Sequence, residues 1–272
     1  VVRSIDFFNS QTFLIENGEL RLIDLPLDAD LSIFRNNMLV ELKSDWQLPS
    51  QTHPAGSLLA IDLRRFRAGD RDFAVLFEPT PEASLHEYRW TENHLLMATL
   101  EHVQTRLSVL TPGNKGWTRA ELAGAPPMAS TSIINTDPHE AHDEFMLLTN
   151  SFTQPSTLLA GSVGGALQPI KQEPPRFDAT GLITEQFFAT SDDGTLIPYF
   201  ITRHPDATGP ALLNGYGGFE ISRTPAYAPG NGLAWLGRGG ISVSANIRGG
   251  GEYGPLWHTQ AMKSGRHLVH ED

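Results

Sequence analysis

Two short apolar runs, each ending in a cluster of glycines, constrain the fold of this chain more than any other feature. The first run covers residues 211–213 and leads into Asn-Gly-Tyr-Gly-Gly-Phe at residues 214–219. The second covers residues 241–245 and leads into Asn-Ile-Arg-Gly-Gly-Gly-Glu-Tyr-Gly at residues 246–254. Continuous apolar runs are typical of buried parallel strands, and glycine lets the loop after a strand approach a ligand closely. The two runs therefore predict buried parallel strands with a site at their C-terminal ends.

The part of the chain before about residue 170 predicts β-structure that repeats. A hairpin is expected where residues 12–17 meet residues 18–25, because Asn17-Gly18 is a strong hairpin signal. Three pairs of apolar segments follow the same pattern: residues 38–42 with 58–63, 95–100 with 107–110, and 145–149 with 157–161. The second members of these pairs recur about every 50 residues. That period, built from short antiparallel strands, favours β-propeller blades, with a β-sandwich as the alternative.

A polar stretch rich in proline and glycine, residues 172–181, predicts a domain boundary. We therefore expect an incomplete β-propeller over residues 1–176 and a second domain over residues 177–272. In the second domain, residues 185–190 and 196–202 predict a hairpin around Ser191-Asp-Asp-Gly194, with Pro198 at a sheet edge or a bulge.

The end of the sequence predicts helical structure. Residues 232–237 are expected to form one or two helical turns. Residues 259–272 have apolar positions at near-helical spacing, and no cap, glycine or proline closes that pattern. We therefore expect a fragment whose last residues lie within a helix.

Composition argues against several classes of function. A net charge of −11 argues against a nucleic-acid partner, because proteins that bind nucleic acid present a basic face. No window approaches 18 apolar residues, so no membrane span is expected. The absence of cysteine excludes disulfides and thiolate metal sites. We expect no cofactor and no metal. The expected location is the cytoplasm, with the periplasm as the alternative. The sequence leaves the oligomeric state open.

Three segments of the second domain together resemble the prolyl oligopeptidase family of serine peptidases. They are residues 191–198, residues 214–222 with Thr224-Pro225, and residues 245–254 with Trp257-His258. Arg266-His267 and Glu271-Asp272 continue the likeness to the end of the chain. The likeness is dense over residues 183–272 and looser upstream, where it rests on residues 6–8, 18–20 and 43–46. Members of this family combine a seven-bladed propeller with an α/β-hydrolase domain. The resemblance thus implies a mixed β and α/β fold: a partial β-propeller followed by the N-terminal part of an α/β-hydrolase domain.

The resemblance assigns roles to two aromatic residues. Tyr216 matches the family tyrosine whose hydroxyl helps to bind the oxyanion, and a phenol can donate a hydrogen bond at neutral pH. Phe219 matches a residue that lines the pocket for the substrate proline, where a flat apolar ring suits an uncharged pyrrolidine. Without the resemblance, Tyr216 could equally be an aromatic that closes the sheet edge, and Phe219 could be a packing residue.

The nucleophile is not found among these residues. No Gly-x-Ser-x-Gly occurs, so the nucleophile elbow of the α/β-hydrolases is absent from the sequence. The resemblance implies that the catalytic Ser, Asp and His all lie beyond Asp272, and that the isolated chain has no peptidase activity. His258 and His267 are interpreted as surface or packing residues. Residues 248–254 are interpreted as a structural loop in which Arg248 and Glu252 pair with neighbours.

Two other motifs are interpreted as coincidences. Residues 249–254 satisfy the Gly-x-Gly-x-x-Gly dinucleotide pattern, but Pro255 follows at once. His139, His142 and Glu144 resemble a metal cluster, but their spacing differs from His-Glu-x-x-His and they follow Asp-Pro in a loop. A solvated acidic face is the favoured interpretation of that segment.

The sequence therefore predicts a serine endopeptidase that hydrolyses short proline-containing peptides on the C-terminal side of proline by acyl-enzyme chemistry. One alternative is a non-catalytic, propeller-based module that binds peptides or proteins. Another is a peptidase of the related branch that cleaves after Lys or Arg. That branch departs from Tyr-Gly-Gly-Phe at its third and fourth positions, whereas residues 216–219 keep all four.

Overall fold

The structure, a computed structural model, describes all 272 residues and divides into two compact units, residues 1–80 and 81–272. Each unit has a hydrophobic cluster of its own. The predicted boundary between residues 176 and 177 falls inside the second unit, in the segment between two strands, and stays a prediction.

The first unit contains nine strands and one short helix. In chain order these are β1 (Val2–Ser4), β2 (Ser10–Glu16), β3 (Glu19–Leu22), β4 (Asp30–Phe34), β5 (Asn37–Glu41), β6 (Trp46–Gln47), β7 (Thr52–His53), β8 (Leu58–Asp62), α1 (Leu63–Arg67) and β9 (Ala74–Phe77). They form a three-stranded sheet β1-β2-β3, a four-stranded sheet β4-β5-β8-β9 and the hairpin β6-β7, all antiparallel.

The turn between β2 and β3 confirms the hairpin predicted at Asn17-Gly18. Both residues have a positive φ, 51° and 84°, which is the backbone conformation that two-residue hairpin turns require. Behind the four-stranded sheet, side chains of β5 and β8 pack together with Phe66 of α1 and with Phe73. This cluster is the core of the first unit.

The second unit begins with eight strands in two antiparallel sheets. They are β10 (Ala83–Trp90), β11 (Leu95–Glu101), β12 (Gln104–Gly113), β13 (Gly116–Glu121), β14 (Ala129–Thr136), β15 (Glu144–Ser151), β16 (Thr157–Ser162) and β17 (Gln168–Gln172). Each sheet has its four strands in chain order, β10 to β13 and β14 to β17. Leu96, Leu107, Ile133 and Leu147 pack between them in one buried cluster.

The strand pairs predicted from the repeat are confirmed. β5 pairs with β8, β11 with β12, and β15 with β16, each in antiparallel register. In every case the residues that recur about every 50 positions belong to the third strand of a four-stranded up-and-down sheet. That topology is the one of propeller blades, because a sandwich would connect its strands between two facing sheets.

The second unit ends in a sheet of a different kind. Its elements are β18 (Ile183–Thr190), β19 (Leu196–Arg203), β20 (Ala211–Gly215), α2 (Pro229–Ala234), β21 (Ile241–Ala245), α3 (Pro255–Thr259) and α4 (Leu268–Glu271), with 3-10 turns at Leu236–Arg238 and Lys263–Gly265. The strand order is β18-β19-β21-β20, in which β20 and β21 are parallel and the other pairs are antiparallel. A helical crossover between parallel strands marks the change to an α/β sheet.

Two predictions about this sheet are wrong. Pro198 lies in an interior strand rather than at an edge or a bulge. The strand tolerates this proline because its ladder with β21 starts only at Tyr199. The carbonyl of Pro198 accepts a hydrogen bond from the amide of Asn246 at 2.9 Å. β20 is the edge strand, and all five of its residues are exposed, Leu213 to 68%. The prediction of parallel pairing is confirmed, but the prediction that this strand is buried is not.

The helical predictions hold only in part. The turns predicted at residues 232–237 are present in α2 and the 3-10 turn after it. Residues 259–272 do not form one helix, because α3 and α4 are separated by a 3-10 turn that contains Gly265. The longest helix of the protein has six residues, and no helix has the length and apolar character needed to cross a bilayer.

Candidate active site

Tyr216 lies directly after β20, at the C-terminal end of the parallel strand pair. Its side chain is 43% exposed, and its hydroxyl makes no hydrogen bond within the protein. The ring lies over the backbone of Gly218, where an added Cβ would sit 3.6–3.9 Å from ring atoms and the hydroxyl. The phenol therefore has the Gly218 backbone on one side and is accessible to another molecule on the other.

Gly217 and Gly249 bring the two glycine-rich loops into direct backbone contact. Gly217 has a φ of +54°, and a Cβ there would lie 2.5 Å from the carbonyl oxygen of Arg248. Gly249 has a φ of +95°, and its Cβ would lie 2.5 Å from the carbonyl oxygen of Gly217. No side chain fits at either place, so both positions require glycine. This contact fixes the loop after β20 against the loop after β21.

Phe219 and Glu220 form a strained corner in the first loop. Their φ angles are 52° and 56°, in the left-handed region that costs a non-glycine residue about 1–2 kcal/mol. The Phe219 side chain is 77% exposed, so the residues present here do not enclose it. A strained, exposed aromatic persists only when neighbouring contacts hold its backbone, and such residues are found at ligand sites.

His258 supplies one of the contacts that hold this corner. Its Nδ1 lies 2.7 Å from the carbonyl oxygen of Gly249 and 3.1 Å from the amide nitrogen of Glu220. The Glu220 amide also donates to the Gly249 carbonyl at 3.2 Å. His258 is half-buried and contacts the backbone of both loops, which adds specific partners to its interpretation as a surface or packing residue. His267 is exposed, and its side chain contacts the nearby Ser264 carbonyl.

Arg248 anchors the second loop through a network of charged and hydroxyl groups that we call the Arg248 clamp: Arg248, Asp272, Asp193, Ser191 and Thr195. The side chains of Arg248 and Asp272 are buried, whereas Asp193 is partly exposed to solvent. The guanidinium donates to the Asp272 carboxylate from Nε at 2.9 and 3.0 Å and from Nη2 at 2.5 Å. It also donates to Asp193 at 2.5 Å and, more weakly, to the Thr195 hydroxyl at 3.3 Å. Ser191 accepts from Nη2 at 3.1 Å and donates to Asp272 at 2.8 Å.

The clamp balances two carboxylates against one guanidinium. Its hydrogen bonds with Asp272, followed by those with Asp193, hold the pKa of Arg248 above its ordinary value. The hydrogen bond from Arg248 in turn holds the pKa of Asp193 well below its ordinary value. The backbone amide of Arg248 donates to Asp272 as well, at 2.9 Å. The pairing predicted for Arg248 is thus confirmed, and it joins the turn before β19 to the loop after β21.

Glu252 pairs with its neighbours through hydrogen bonds rather than through an ion pair. Its side chain is 1% exposed, and Oε1 accepts from the Arg223 amide at 2.8 Å and from Asn246 Nδ2 at 3.1 Å. Oε2 has no hydrogen-bond partner. Burial raises the pKa of the Glu252 carboxyl, because the charged form is poorly solvated there.

The same loop contacts the blade formed by β10 to β13. Ser84 in β10 donates to the Glu252 carbonyl at 2.8 Å. The Tyr253 hydroxyl lies 3.2 Å from His102 Nδ1, at the tip of the β11–β12 hairpin. Gln186 in β18 donates to the His102 carbonyl at 2.6 Å. The second loop therefore touches the first strands of this unit as well as the loop that carries Tyr216.

The motifs interpreted as coincidences lie elsewhere or lack the required surroundings. His142 and Glu144 line a cleft of about 450 Å³ on the β14–β17 sheet. No group of three or more His, Cys, Asp or Glu side chains is placed to hold a metal ion. The Gly-x-Gly-x-x-Gly pattern at residues 249–254 is followed by α3, which has only five residues.

The structure unites residues that are far apart in the sequence. It places Tyr216 and Phe219 on one loop, as predicted from their sequence proximity, and adds Arg248, Asp272 and His258 as its supports. Asp193 lies 55 positions before Arg248, and His258 lies 38 positions after Glu220. No spacing rule links such positions, so only the fold could reveal these partners.

Comparison with known proteins identifies relatives along the whole chain, although no family model matches it. An uncharacterised peptidase of Sinorhizobium fredii is 35% identical over 99% of this chain and 39% of its own length. An uncharacterised peptidase of Rickettsia prowazekii is 30% identical over 98% of this chain and 38% of its own length. A prolyl endopeptidase of Elizabethkingia miricola is 39% identical over 46% of this chain and 18% of its own length.

Solved structures agree with this relationship. A post-proline cleaving enzyme from Rickettsia typhi matches 99% of this chain and 40% of its own with a TM-score of 0.88 at 28% identity. Oligopeptidase B from Leishmania major matches 97% of this chain and 39% of its own with a TM-score of 0.76, and its 19% identity shows a common fold alone. The chain spans about two fifths of the length of the relatives that match it throughout.

Proposed function

Because this chain belongs to the prolyl oligopeptidase family, we propose that it is the part of a serine peptidase that supplies the oxyanion donor and the proline-binding ring. The proposed reaction is hydrolysis of short peptides on the C-terminal side of proline. A serine from another part of the protein attacks the scissile carbonyl, and the carbonyl oxygen becomes an anion. The Tyr216 hydroxyl donates a hydrogen bond to that anion.

The observation that carries this proposal is the environment of the Tyr216 hydroxyl. Its hydroxyl is unpartnered, partly exposed, and located at the C-terminal end of a parallel strand next to a loop held by glycine contacts. A preorganised donor of this kind stabilises the transition state of acyl transfer by about 3 kcal/mol. The same hydroxyl on a ring packed inward could not reach a substrate.

The preference for proline is supported by Phe219 and by the relatives. An exposed, flat ring next to the oxyanion donor suits the apolar face of a pyrrolidine. The Elizabethkingia relative is named a prolyl endopeptidase, and the Rickettsia typhi enzyme is described as post-proline cleaving. We propose the same preference for this protein rather than cleavage after Lys or Arg.

The test of the proposed mechanism is Tyr216→Phe in the complete peptidase. We expect kcat on a proline-containing chromogenic peptide to fall about a hundredfold with little change in KM, because the lost bond forms only in the transition state. Tyr199→Phe is the matched control, since Tyr199 is partly buried in β19 and packs against Phe187. An unchanged kcat in Tyr216→Phe would remove this residue from the mechanism.

The test of specificity compares peptides that differ only at the residue before the cleaved bond. Hydrolysis after proline and none after Lys or Arg supports the proposal. Hydrolysis after Lys or Arg instead would assign the protein to the branch specific for basic residues. Binding of proline peptides by the complete protein without any hydrolysis would favour the non-catalytic binding module.

A further inference from the structure

We propose that His258 is a positioning residue that fixes the orientation of Phe219 and thereby sets the preference for proline; this inference rests on the proposed function above. His258 does not touch the substrate in this proposal. It acts through the backbone of the corner formed by Phe219 and Glu220. The geometry of three polar atoms carries the argument.

The three atoms are His258 Nδ1, the Gly249 carbonyl oxygen and the Glu220 amide nitrogen. They form a triangle with sides of 2.7, 3.1 and 3.2 Å. The carbonyl oxygen is an acceptor with two lone pairs, so it can take one hydrogen bond from each nitrogen. The triangle therefore links the backbone at Glu220 to the loop after β21.

The triangle also determines the tautomer of His258. The shortest side joins Nδ1 to a carbonyl oxygen, so Nδ1 must carry the proton and donate, because two acceptors would repel at 2.7 Å. The Glu220 amide then donates to the same oxygen at 3.2 Å, and its 3.1 Å distance to Nδ1 is a van der Waals contact between two donors rather than a hydrogen bond. A side chain without a donor at this place would leave the Gly249 carbonyl with one hydrogen bond fewer.

The imidazole is itself held in place by its own helix. The Gly249 amide donates to the Trp257 carbonyl at 2.8 Å, so residues 257 and 258 engage both polar groups of Gly249. Trp257 is buried, and its ring packs edge-on against Tyr253 at 4.9 Å between centroids. α3 therefore forms a fixed base from which His258 reaches the corner.

The corner needs such a support because both of its residues have a left-handed backbone. Phe219 and Glu220 have φ angles of 52° and 56°, and neither is glycine. The Phe219 side chain is exposed and receives no orientation from packing. The direction of its Cα–Cβ bond, from which the ring projects, is therefore set by the backbone at residues 219 and 220, which the triangle restrains.

The experiment compares two substitutions of similar size in the complete peptidase, His258→Asn and His258→Leu. Asparagine keeps an N–H donor near the position of Nδ1, and leucine removes it. The readout is the ratio of kcat/KM for a substrate with proline before the cleaved bond to kcat/KM for the same substrate with alanine there. We expect leucine to reduce this ratio about tenfold, mainly through KM for the proline substrate, and asparagine to keep it within about threefold.

The double variant with Phe219→Ala separates a specific effect from general damage. In the Phe219→Ala background, His258→Leu should leave the proline-to-alanine ratio unchanged, because the ring that it orients is gone. Should the leucine variant not fold, His258→Gln replaces it. Its amide lies one bond further out and misses the Gly249 carbonyl, so the same reduction is expected.

The outcomes distinguish this inference from the proposed function. A wild-type enzyme without preference for proline would overturn the proposed specificity, whatever His258 does. A folded leucine or glutamine variant with an unchanged ratio in an enzyme that prefers proline would overturn only the role of His258. A folded asparagine variant whose proline-to-alanine ratio falls as far as that of the leucine variant would also overturn the role of His258, because asparagine keeps the N–H donor.

Discussion

The guanidinium of Arg248 and the carboxylate of Asp272 meet through two nitrogens while both side chains are out of contact with solvent, 1% and 0% exposed. The same carboxylate accepts the backbone amide of Arg248 and the hydroxyl of Ser191. A buried ion pair is tolerated only when its remaining donors and acceptors are also bonded, and here they are. The pair therefore holds the loop whose next residue, Gly249, packs on the Tyr216 loop.

Removing the arginine should be strongly destabilising. In Arg248→Met the Asp272 carboxylate stays buried without its partner, and we expect the free energy of unfolding to fall by about 3–5 kcal/mol. Urea denaturation followed by circular dichroism measures this change. Arg238→Met is the matched control, because Arg238 is exposed and its loss should change the midpoint little. Equal midpoints for both variants would show that the clamp does not stabilise the fold.

Substitution by alanine should destabilise the fold at Gly217 and leave its stability nearly unchanged at Gly218. Gly217→Ala combines a left-handed φ of +54° with a Cβ 2.5 Å from the Arg248 carbonyl, and we expect a loss of about 2 kcal/mol or more. At Gly218 the nearest atom would lie 3.6 Å away, an ordinary contact with the Tyr216 ring. Thermal unfolding of the two variants should therefore differ clearly. Similar melting temperatures would contradict the contact between the two loops.

The stability of the protein should depend on the protonation of Glu252. Burial raises the pKa of this carboxyl in the folded state, so folding favours the protonated form. Its contribution is complete below the unfolded pKa, near 4.5, and is lost as the pH rises through the folded pKa. Glu252→Gln removes this titration while it keeps an acceptor for the Arg223 amide.

Melting temperatures of wild type and Glu252→Gln between pH 4 and 8 test this dependence. We expect the glutamine variant to gain stability relative to wild type as the pH rises above about 4.5, and the difference to level off above the folded pKa. The comparison of two proteins cancels the titration of the other carboxylates. Parallel curves for the two proteins would show that Glu252 is ionised at no cost in the folded state.

Tyr216→Phe should leave the stability of the fold unchanged. The hydroxyl makes no hydrogen bond within the protein, and the ring keeps its contact with Gly218. We therefore expect the melting temperature of the variant to stay within about 1 °C of wild type. A clear drop would reveal a structural role for the hydroxyl, and any loss of activity would then no longer report on the oxyanion alone.

Local signals in the sequence predicted the elements well where those signals involve neighbours along the chain. Asn17-Gly18 predicted a hairpin because two residues there adopt a positive φ. The repeat predicted the pairing of β5 with β8 and its two equivalents, because strands of one blade follow each other directly. The apolar runs before Tyr216 and Arg248 predicted the parallel pair β20 and β21.

Predictions failed where the outcome depends on which elements become neighbours. Pro198 looked like an edge residue, but its strand gained a partner on each side, and the second ladder begins just after it. Leu213 is apolar, yet it is exposed because β20 lies at the edge of the described sheet. The specific partners of His258 could not be predicted, because Glu220 and Gly249 come from two separate loops.

By itself the sequence determined the order of the blades, the change to a parallel sheet, and the position of Tyr216 at the end of its strand. These features follow from periodicity, turn residues and glycine, all of which act over a few neighbouring positions. The tertiary structure alone decided what holds that tyrosine in place: the clamp around Arg248 and the contact of His258 with the corner at Phe219. Those interactions join residues dozens of positions apart, and their energies depend on burial and on distances that exist only once the loops have met.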